Sequence, residues 1–355
     1  MRPIAAQRGH TRRMQELKKL WALLWPDAQP TSLLELPSLA RLAGVGRVFV
    51  KVEGERPLGS FKSLGGMIAG VRALASASGV ADPRDLLSNQ STRNLPRLIC
   101  ASEGNHGLAV AAAANKAGTR ATVFLRNDVS ATRAARIEAF GAEIVRIKGT
   151  YDDAVAAAEA AATRGEGILI SDTASDPDSA VVNDVMAGYG MLADEIIDQF
   201  RDPSRERPTH LWVQAGVGGL AAAMVDGLRP LLRAPNKFLI VEPDVAPCVA
   251  RALQAGKPTL VEGDLRTSAS MLACGLASAP ALRILQRHSV ASVLVSDVQL
   301  RVAATELRSA GGPQTTESGA TGLAGLLQVA ARRELLSLHQ LDNDSVVLLI
   351  ATERT

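Results

Sequence analysis

The sequence predicts an α/β protein with two domains, each built on an open and mostly parallel sheet. Its 355 residues exceed one ordinary core, given about 150 residues per domain. From residue 48 onward, short runs rich in β-branched residues alternate with longer alanine- and leucine-rich stretches of helical period. This alternation is typical of strand–helix–strand units, which build parallel sheets covered by helices on both faces.

The element boundaries follow from where each apolar run begins and ends. The predicted strands are residues 48–53, 98–102, 121–125, 143–147, 167–171, 210–214, 238–242, 292–295 and 346–351. Predicted helices include residues 14–25, 105–117, 131–140, 151–164, 182–200, 219–228 and 319–334. Residues 81–97 carry two prolines and little periodicity, so we expect a long surface loop there.

Composition argues against several classes of protein. Hydrophobic residues make up 47% and charged residues 21%, which suits a globular chain. A net charge of +3 and 3% aromatic residues give no basic, aromatic surface, so we expect no nucleic-acid partner. The three cysteines lack CxxC spacing, which argues against a zinc site or a disulfide framework. No apolar stretch reaches the roughly 18 residues of a membrane helix, so we expect a cytoplasmic protein without a membrane partner.

The basic N-terminus allows two interpretations. Residues 1–13 are rich in arginine and lack acidic residues, as transit peptides are. We prefer the plainer interpretation, in which a basic tail leads into the amphipathic helix of residues 14–25, stopped by Pro26.

The first motif is SFKSLGG at residues 60–66, with Lys62 at the start of a helix in an apolar setting. Taken alone, a lysine is most often a solvated surface charge. Desolvation and nearby helix N-terminal charge would instead lower its pKa, which imine formation requires.

The second motif is ASEGNHG at residues 101–107, between a predicted strand and an alanine-rich helix. Its amides lie at a helix N-terminus and could hold a carboxylate. Asn105 could instead only cap the helix, and His106 could pack beneath the loop instead of acting as a base.

The third motif is QAGVGGL at residues 214–220, which presents several amides at a helix start. The motif suits a phosphate but has no lysine, so a Walker-type nucleotide site is disfavoured. The glycine spacing also differs from the Rossmann dinucleotide fingerprint.

In this order and separation, the three motifs resemble the fold-type II pyridoxal-phosphate enzymes, the group with the tryptophan synthase β-like fold. That family includes serine and threonine dehydratases, threonine synthase, cysteine synthase and diaminopropionate ammonia-lyase. The resemblance covers residues 30–352 and implies two domains with pyridoxal 5'-phosphate in the cleft between them. We expect a large cofactor-binding domain of residues 1–54 and 166–355, and a smaller mobile domain of residues 55–165 that carries Asn105.

The resemblance also implies roles for individual residues. Lys62 would hold the cofactor as an imine and move the Cα proton, and Asn105 would hydrogen-bond the cofactor's 3-hydroxyl. Thr352 would face the pyridine nitrogen. A neutral hydroxyl there need not keep that nitrogen protonated, which favours loss of a β-substituent. The implied phosphate-binding residues are Gly216, Val217, Gly218, Gly219 and Leu220. The implied substrate-binding residues are Ser102, Gly104, Asn105 and His106.

Within the family, residues 171–174, 270–276 and 316–320 look most like diaminopropionate ammonia-lyases. Those enzymes carry acids where this chain has Glu103 and Asp172, and carboxylates suit a substrate whose β-ammonium group must be bound. The alternative is that both acids only cap local structure. Glu103 is also one methylene longer than the family's aspartate, residues 175–179 replace a tryptophan-containing segment, and the chain ends soon after Thr352.

The resemblance therefore implies a carbon–nitrogen lyase that converts 2,3-diaminopropionate to pyruvate and ammonia by α,β-elimination, with Lys62, Glu103 and Asp172 as its catalytic residues. The alternatives are a β-replacement synthase like cysteine synthase, a serine or threonine dehydratase, and a homologue that binds the cofactor without catalysis. We expect a small amino-acid substrate, no metal and a homodimer.

Overall fold

The computed structural model describes residues 4–88 and 94–355, with side chains described from residue 12 on. The chain forms two compact units. The first comprises the described residues up to Gln29, Lys62–Asp172 and Ser179–Leu192, and the second comprises Pro30–Phe61, Thr173–Asp178 and Ala193–Thr355. Each unit contains one sheet, and every strand pairing except one is parallel, which confirms the predicted α/β class.

In chain order, the strands are β1 (Leu33–Glu35), β2 (Arg47–Val52), β3 (Leu98–Ser102), β4 (Ala121–Arg126), β5 (Glu143–Ile147), β6 (Ile168–Leu169), β7 (His210–Gln214), β8 (Lys237–Pro243), β9 (Val290–Val295) and β10 (Val346–Ala351). The α-helices are α1 (Ile4–Leu24), α2 (Pro37–Ala43), α3 (Lys62–Ala77), α4 (Pro83–Ser88), α5 (Asn105–Lys116), α6 (Ala131–Glu138), α7 (Tyr151–Thr163), α8 (Ala180–Gln199), α9 (Gly219–Leu228), α10 (Cys248–Ala255), α11 (Ala279–Leu285), α12 (Asp297–Ser309), α13 (Glu317–Ala330) and α14 (Arg333–His339).

The sheet of the first unit has the strand order β5-β4-β3-β6, and all of its pairings are parallel. Strand β3 is buried along its whole length, as expected for a central strand with both faces covered. Helix α7 begins with a capping box, in which Thr150 and Asp153 each bond the other's backbone amide. Because these strands are parallel, the carboxyl ends of β3, β4 and β6 lie at the same edge of the sheet.

The sheet of the second unit has the order β1-β2-β10-β7-β8-β9. Only β1 is antiparallel to its neighbour, and β10 and β7 are adjacent and parallel. Its core includes the fully buried Trp212, packed with the aliphatic side chains of β2, β8 and β10. The residues that follow β7 and β10 therefore lie at the same edge of this sheet.

The structure corrects the sequence interpretation in four places. Helix α1 begins at Ile4, so residues 4–13 belong to the helix and do not form the predicted basic tail. Strand β1 was not predicted. The predicted loop of residues 81–97 contains helix α4, and residues 89–93 of that loop lie outside the described part of the chain. The predicted strand of residues 167–171 contains only the two strand residues of β6.

The domain boundaries expected from the sequence differ from these units mainly in the first 29 residues and in the first part of α8. The division into a large domain and a mobile small domain stays a prediction. Among the described helices, none has the length and hydropathy of a membrane span.

The second unit also holds a network of four charged side chains, three of which are buried. Lys51 and Glu53 are fully buried, Arg56 is 4% exposed, and Glu195 of helix α8 bonds both cations. Arg56 Nε donates to Glu53 Oε2 at 2.9 Å, and Arg56 Nη1 donates to Glu195 Oε2 at 2.8 Å. Thr31 adds a hydroxyl bond to Glu53 Oε1 at 2.7 Å. Two positive charges thus face two negative charges, which offsets the desolvation cost of burying them.

Candidate active site

Lys62 is the first residue of helix α3. Its ammonium group forms an ion pair with the carboxylate of Asp172, which follows β6 in the same unit. The Lys62 side chain is 22% exposed, and its Nζ lies 6.0 Å from the centre of the buried Tyr189 ring. The structure therefore brings together two of the three predicted catalytic residues.

Asp172 is buried and has two side-chain partners. Its Oδ2 bonds Lys62, and its Oδ1 accepts a hydrogen bond of 2.8 Å from the Tyr151 hydroxyl. Burial acts to raise the pKa of Asp172. The positive charge of Lys62 and the two hydrogen bonds outweigh burial and hold that pKa well below its ordinary value. Asp172 is thus an ionised carboxylate, and its bonds connect helices α3 and α7 instead of capping a turn.

Glu103 follows β3, at the same sheet edge as Asp172. Its side chain is 9% exposed, and burial raises its pKa to about 7. The nearest cation is Arg126, whose Nε lies 3.5 Å from Glu103 Oε1, but Arg126 is hydrogen-bonded to Asp128. Glu103 does not cap helix α5, because Gly104 is the N-cap and no side chain caps it. A buried carboxyl group with a pKa near neutrality suits proton transfer.

The loop of residues 102–107 is shaped by one hydroxyl group. Ser102 Oγ accepts hydrogen bonds of 2.8 Å from the amides of Gly104 and Gly107. Gly104 has a φ of 137°, which favours glycine, and Asn105 is the first residue of α5. His106 is buried, and its Nε2 donates to the Ile170 carbonyl at 2.8 Å. Burial lowers the His106 pKa, so the ring is a neutral group packed beneath the loop.

In the second unit, the predicted phosphate loop connects β7 to helix α9. Gly218 is the N-cap of α9 and has a φ of 97°. A Cβ atom on Gly216 would lie 3.2 Å from Cys274 Sγ and 3.3 Å from the Met271 carbonyl oxygen. Within residues 4–88 and 94–355, the backbone amides of residues 216–220 donate no hydrogen bond. Amides without a protein acceptor at the start of a helix suit an anion.

Thr352 follows β10, next to the strand that leads into this loop. Its side chain is 3% exposed, and its Oγ1 accepts a hydrogen bond of 3.2 Å from Gln214 Nε2. The same Gln214 amide lies 2.9 Å from the Ile350 carbonyl oxygen. The Thr352 hydroxyl accepts from Gln214, so its own proton is available to an acceptor such as a ring nitrogen.

The site residues that the sequence did not single out are Tyr151, Arg126 and Gln214. Each is a partner of a predicted residue through a contact between separate elements. Their only sequence signal is position, because Arg126 directly follows the predicted strand of residues 121–125, Gln214 ends a predicted strand, and Tyr151 begins a predicted helix. No cluster of three or more His, Cys, Asp or Glu residues that could hold a metal is found in the part of the chain that the structure describes.

A lysine amine beside a buried carboxylate suits imine formation with a carbonyl group, and backbone amides at a helix N-terminus suit a phosphate. Each feature is compatible with an α/β enzyme that uses a phosphorylated carbonyl cofactor. Residues 24–353 match the family described as pyridoxal-phosphate dependent enzyme, and the chain belongs to that family.

Individual relatives make the likeness more specific. The chain is 33% identical to the diaminopropionate ammonia-lyase of Escherichia coli strain K12 over 92% of this chain and 84% of that protein. It is 29% identical to a probable D-serine dehydratase of Acidovorax sp. strain JS42, over 85% of this chain and 73% of that protein. The crystal structure of the Escherichia coli lyase in complex with D-serine matches with a TM-score of 0.85 and 28% identity. That match covers 98% of this chain and 89% of the other.

The residues present fit pyridoxal 5'-phosphate. A primary amine is available on Lys62 for the carbonyl carbon, and amides without a protein acceptor suit the phosphate dianion at α9. A Cβ atom on Gly216 would fit only if Cys274 and Met271 moved by a few tenths of an ångström. A buried hydroxyl group on Thr352 suits the neutral ring nitrogen.

Proposed function

We propose that this enzyme catalyses α,β-elimination on 2,3-diaminopropionate and yields pyruvate and ammonia. The observation that carries the proposal is the pair of buried carboxyl groups at one sheet edge, Glu103 and Asp172, with Asp172 bonded to Lys62. Two carboxyl groups suit a substrate that carries two ammonium groups. The likeness to diaminopropionate ammonia-lyases over more than nine-tenths of the chain supports the same substrate.

The different surroundings of the two carboxyl groups give them different roles. Asp172, with a lowered pKa, stays ionised and binds the β-ammonium group of the substrate. Glu103, with a pKa of about 7, takes or gives a proton as the amine leaves. Two carboxyl groups whose environments drive their pKa values apart are the usual sign of separate anchoring and acid–base roles.

The remaining roles follow the family resemblance. When bound, the cofactor supplies an electron sink for the charge that develops at Cα. Lys62 holds the cofactor and moves the Cα proton, and Asn105 bonds the cofactor's 3-hydroxyl. The amides of residues 216–220 hold the phosphate, and Thr352 donates to the ring nitrogen. The loop of residues 102–107 presents amides and the Asn105 side chain to the substrate carboxylate, while Ser102 and His106 support the loop.

A second candidate is a dehydratase that acts on D-serine. A probable D-serine dehydratase is among the relatives, and the Escherichia coli lyase has been crystallised with D-serine. Glu103 in its protonated form could donate a proton to the leaving hydroxyl group of D-serine. D-serine has no β-ammonium group, so Asp172 would have no cation to bind. The two candidates therefore differ in their need for Asp172.

The experiment is a pyruvate assay on purified enzyme with each isomer of 2,3-diaminopropionate and with D-serine, while the visible absorption of the cofactor is followed. Pyruvate from diaminopropionate at a higher kcat/KM than from D-serine supports the lyase. The reverse order assigns the dehydratase. A changed spectrum without pyruvate would favour a β-replacement synthase, which needs a second substrate, and an unchanged spectrum with every amino acid would favour silent binding.

Replacing Lys62 is the matching test of the cofactor assignment. We expect Lys62→Ala to lose covalent attachment of the cofactor and all pyruvate formation, because its amine is the nucleophile. Borohydride reduction followed by peptide mass spectrometry locates the attached cofactor. Lys116→Ala, on the last turn of α5, is the control and should behave as the wild type. A normal imine spectrum in Lys62→Ala refutes the assignment.

Assembly and location complete the proposal. We propose a homodimer in the cytoplasm, as expected from the family resemblance and the absence of a predicted membrane segment in the sequence. Sedimentation equilibrium of the cofactor-bound enzyme measures the first point, and fractionation of cells that express the tagged chain measures the second.

A further inference from the structure

We propose that Tyr151 is a positioning residue, which fixes the carboxylate of Asp172 in the orientation that receives the β-ammonium group of the substrate. This inference rests on the proposed function, because it assigns Asp172 the substrate's cation.

The contact that carries the inference is direct and buried. Tyr151 is 5% exposed, and its hydroxyl donates to Asp172 Oδ1 at 2.8 Å. The two residues stand 21 positions apart and come from different elements, since Tyr151 begins α7 and Asp172 follows β6. The capping box of Thr150 and Asp153 fixes the backbone at the first turn of α7. The phenol is thus held rigidly on a defined helix end.

The groups around Asp172 show why this bond matters. Lys62 occupies Oδ2, while His106 is a neutral ring whose Nε2 is bonded to the main chain. Burial raises the pKa of the Tyr189 phenol to about 12, so Tyr189 is neutral at working pH. Burial likewise raises the pKa of the Cys100 thiol beyond the working range. Lys62 and Tyr151 are therefore the two side chains that hydrogen-bond the Asp172 carboxylate.

Lys62, one of the two hydrogen-bond partners of Asp172, has a second role. The Lys62 amine that bonds Asp172 is the same amine that the proposed function assigns to the cofactor. While Lys62 is engaged there, Tyr151 still holds Oδ1 and leaves Oδ2 open to a cation from the substrate. A hydrogen bond to a charged group is shorter and stronger than a bond between neutral groups. Tyr151 therefore favours substrates with a cationic β-group over those with a neutral one.

The experiment compares Tyr151→Phe with the wild-type holoenzyme, since phenylalanine keeps the ring and removes the hydroxyl. We expect kcat/KM for 2,3-diaminopropionate to fall about tenfold or more, mainly through KM, as for loss of a bond to a charged group. The value for D-serine should change by less than about threefold, since its β-hydroxyl needs no anion.

Two further variants separate positioning from damage to the fold. Thr150→Ala removes the cap of α7 and leaves the phenol in place, so it should lower Tm and leave the ratio of the two kcat/KM values unchanged. Asp172→Asn removes the charge that Tyr151 holds, so adding Tyr151→Phe to it should have little further effect. A full additional loss in the double variant would overturn the inference.

A spectroscopic titration tests Tyr151 without turnover. Cofactor absorbance of the substrate-free holoenzyme is followed as the pH is lowered. We expect a transition that begins at higher pH in Tyr151→Phe than in the wild type and is absent in Asp172→Asn. Superimposed titrations of Tyr151→Phe and wild type would overturn the inference. Wild-type enzyme that forms no pyruvate from diaminopropionate would defeat the proposed function alone, and the titration would still decide the role of Tyr151.

Discussion

The phosphate loop gives the sharpest test of cofactor binding, through the substitution Gly218→Ala. Gly218 has a φ of 97°, and a Cβ atom there would lie 3.1 Å from Val249 Cγ2. A left-handed conformation costs a residue with a Cβ about 1–2 kcal/mol. The loop relieves this strain by turning, which misaligns amides that are each worth about 1.5–3 kcal/mol to a charged acceptor. We therefore expect the dissociation constant for pyridoxal 5'-phosphate to rise about tenfold or more.

The matched control is Gly311→Ala. Gly311 has a φ of 83°, but a Cβ atom there would meet nothing within 4 Å. Both variants should lose about 1–2 kcal/mol in the free energy of unfolding of the cofactor-free protein, measured with urea. Only Gly218→Ala should also weaken the cofactor, as measured by absorbance titration of the cofactor-free protein. An unchanged dissociation constant in Gly218→Ala would refute the assignment of this loop to the phosphate.

The other predictions concern buried charge. The folded pKa of Glu103, about 7, lies above its ordinary value of 4.5, so its contribution to stability is complete below pH 4.5 and is lost as the pH rises through 7. Glu103→Gln should remove this pH dependence of the unfolding free energy, which amounts to about 1.4 kcal/mol per pKa unit, and a parallel pair of curves would contradict it. Arg56→Met should lower the free energy of unfolding by about 3–5 kcal/mol, because Glu53 stays buried with its charge. The control Arg164→Met breaks an exposed pair and should cost about 1 kcal/mol or less, and equal losses would show that the network contributes little.

The sequence predicted strands best where a buried, β-branched run is bounded on both sides. The predicted bounds of β3, β7 and β10 match the structure, because both faces of a central parallel strand are covered and the apolar run is unbroken. The predicted bounds of β5 also match, although β5 is a partly exposed edge strand. Strand β1 is three residues long and pairs at the sheet edge, so it carries no periodic signal. Helix α4 was taken as loop because Pro83 was interpreted as a break, although proline is well placed in the first turn of a helix.

The sequence motifs identified candidate site residues but not the residues that contact them. The three motifs lie at strand ends or helix starts, which are local features that spacing and composition predict. The ion pair of Lys62 with Asp172 joins residues 110 positions apart, and the Tyr151 bond depends on how α7 packs. The raised pKa of Glu103 depends on burial and on Asp128 engaging Arg126, which the sequence cannot specify.

The buried charge network of the second unit has a consequence for how this chain evolves. Lys51, Glu53, Arg56 and Glu195 balance one another, so a change at any one position leaves an opposite charge without its partner. We therefore expect single substitutions there to lower stability more than paired substitutions that keep the network neutral. We expect the four residues of the network to change together among related sequences. Replacing all four with apolar residues one at a time would require less stable intermediates.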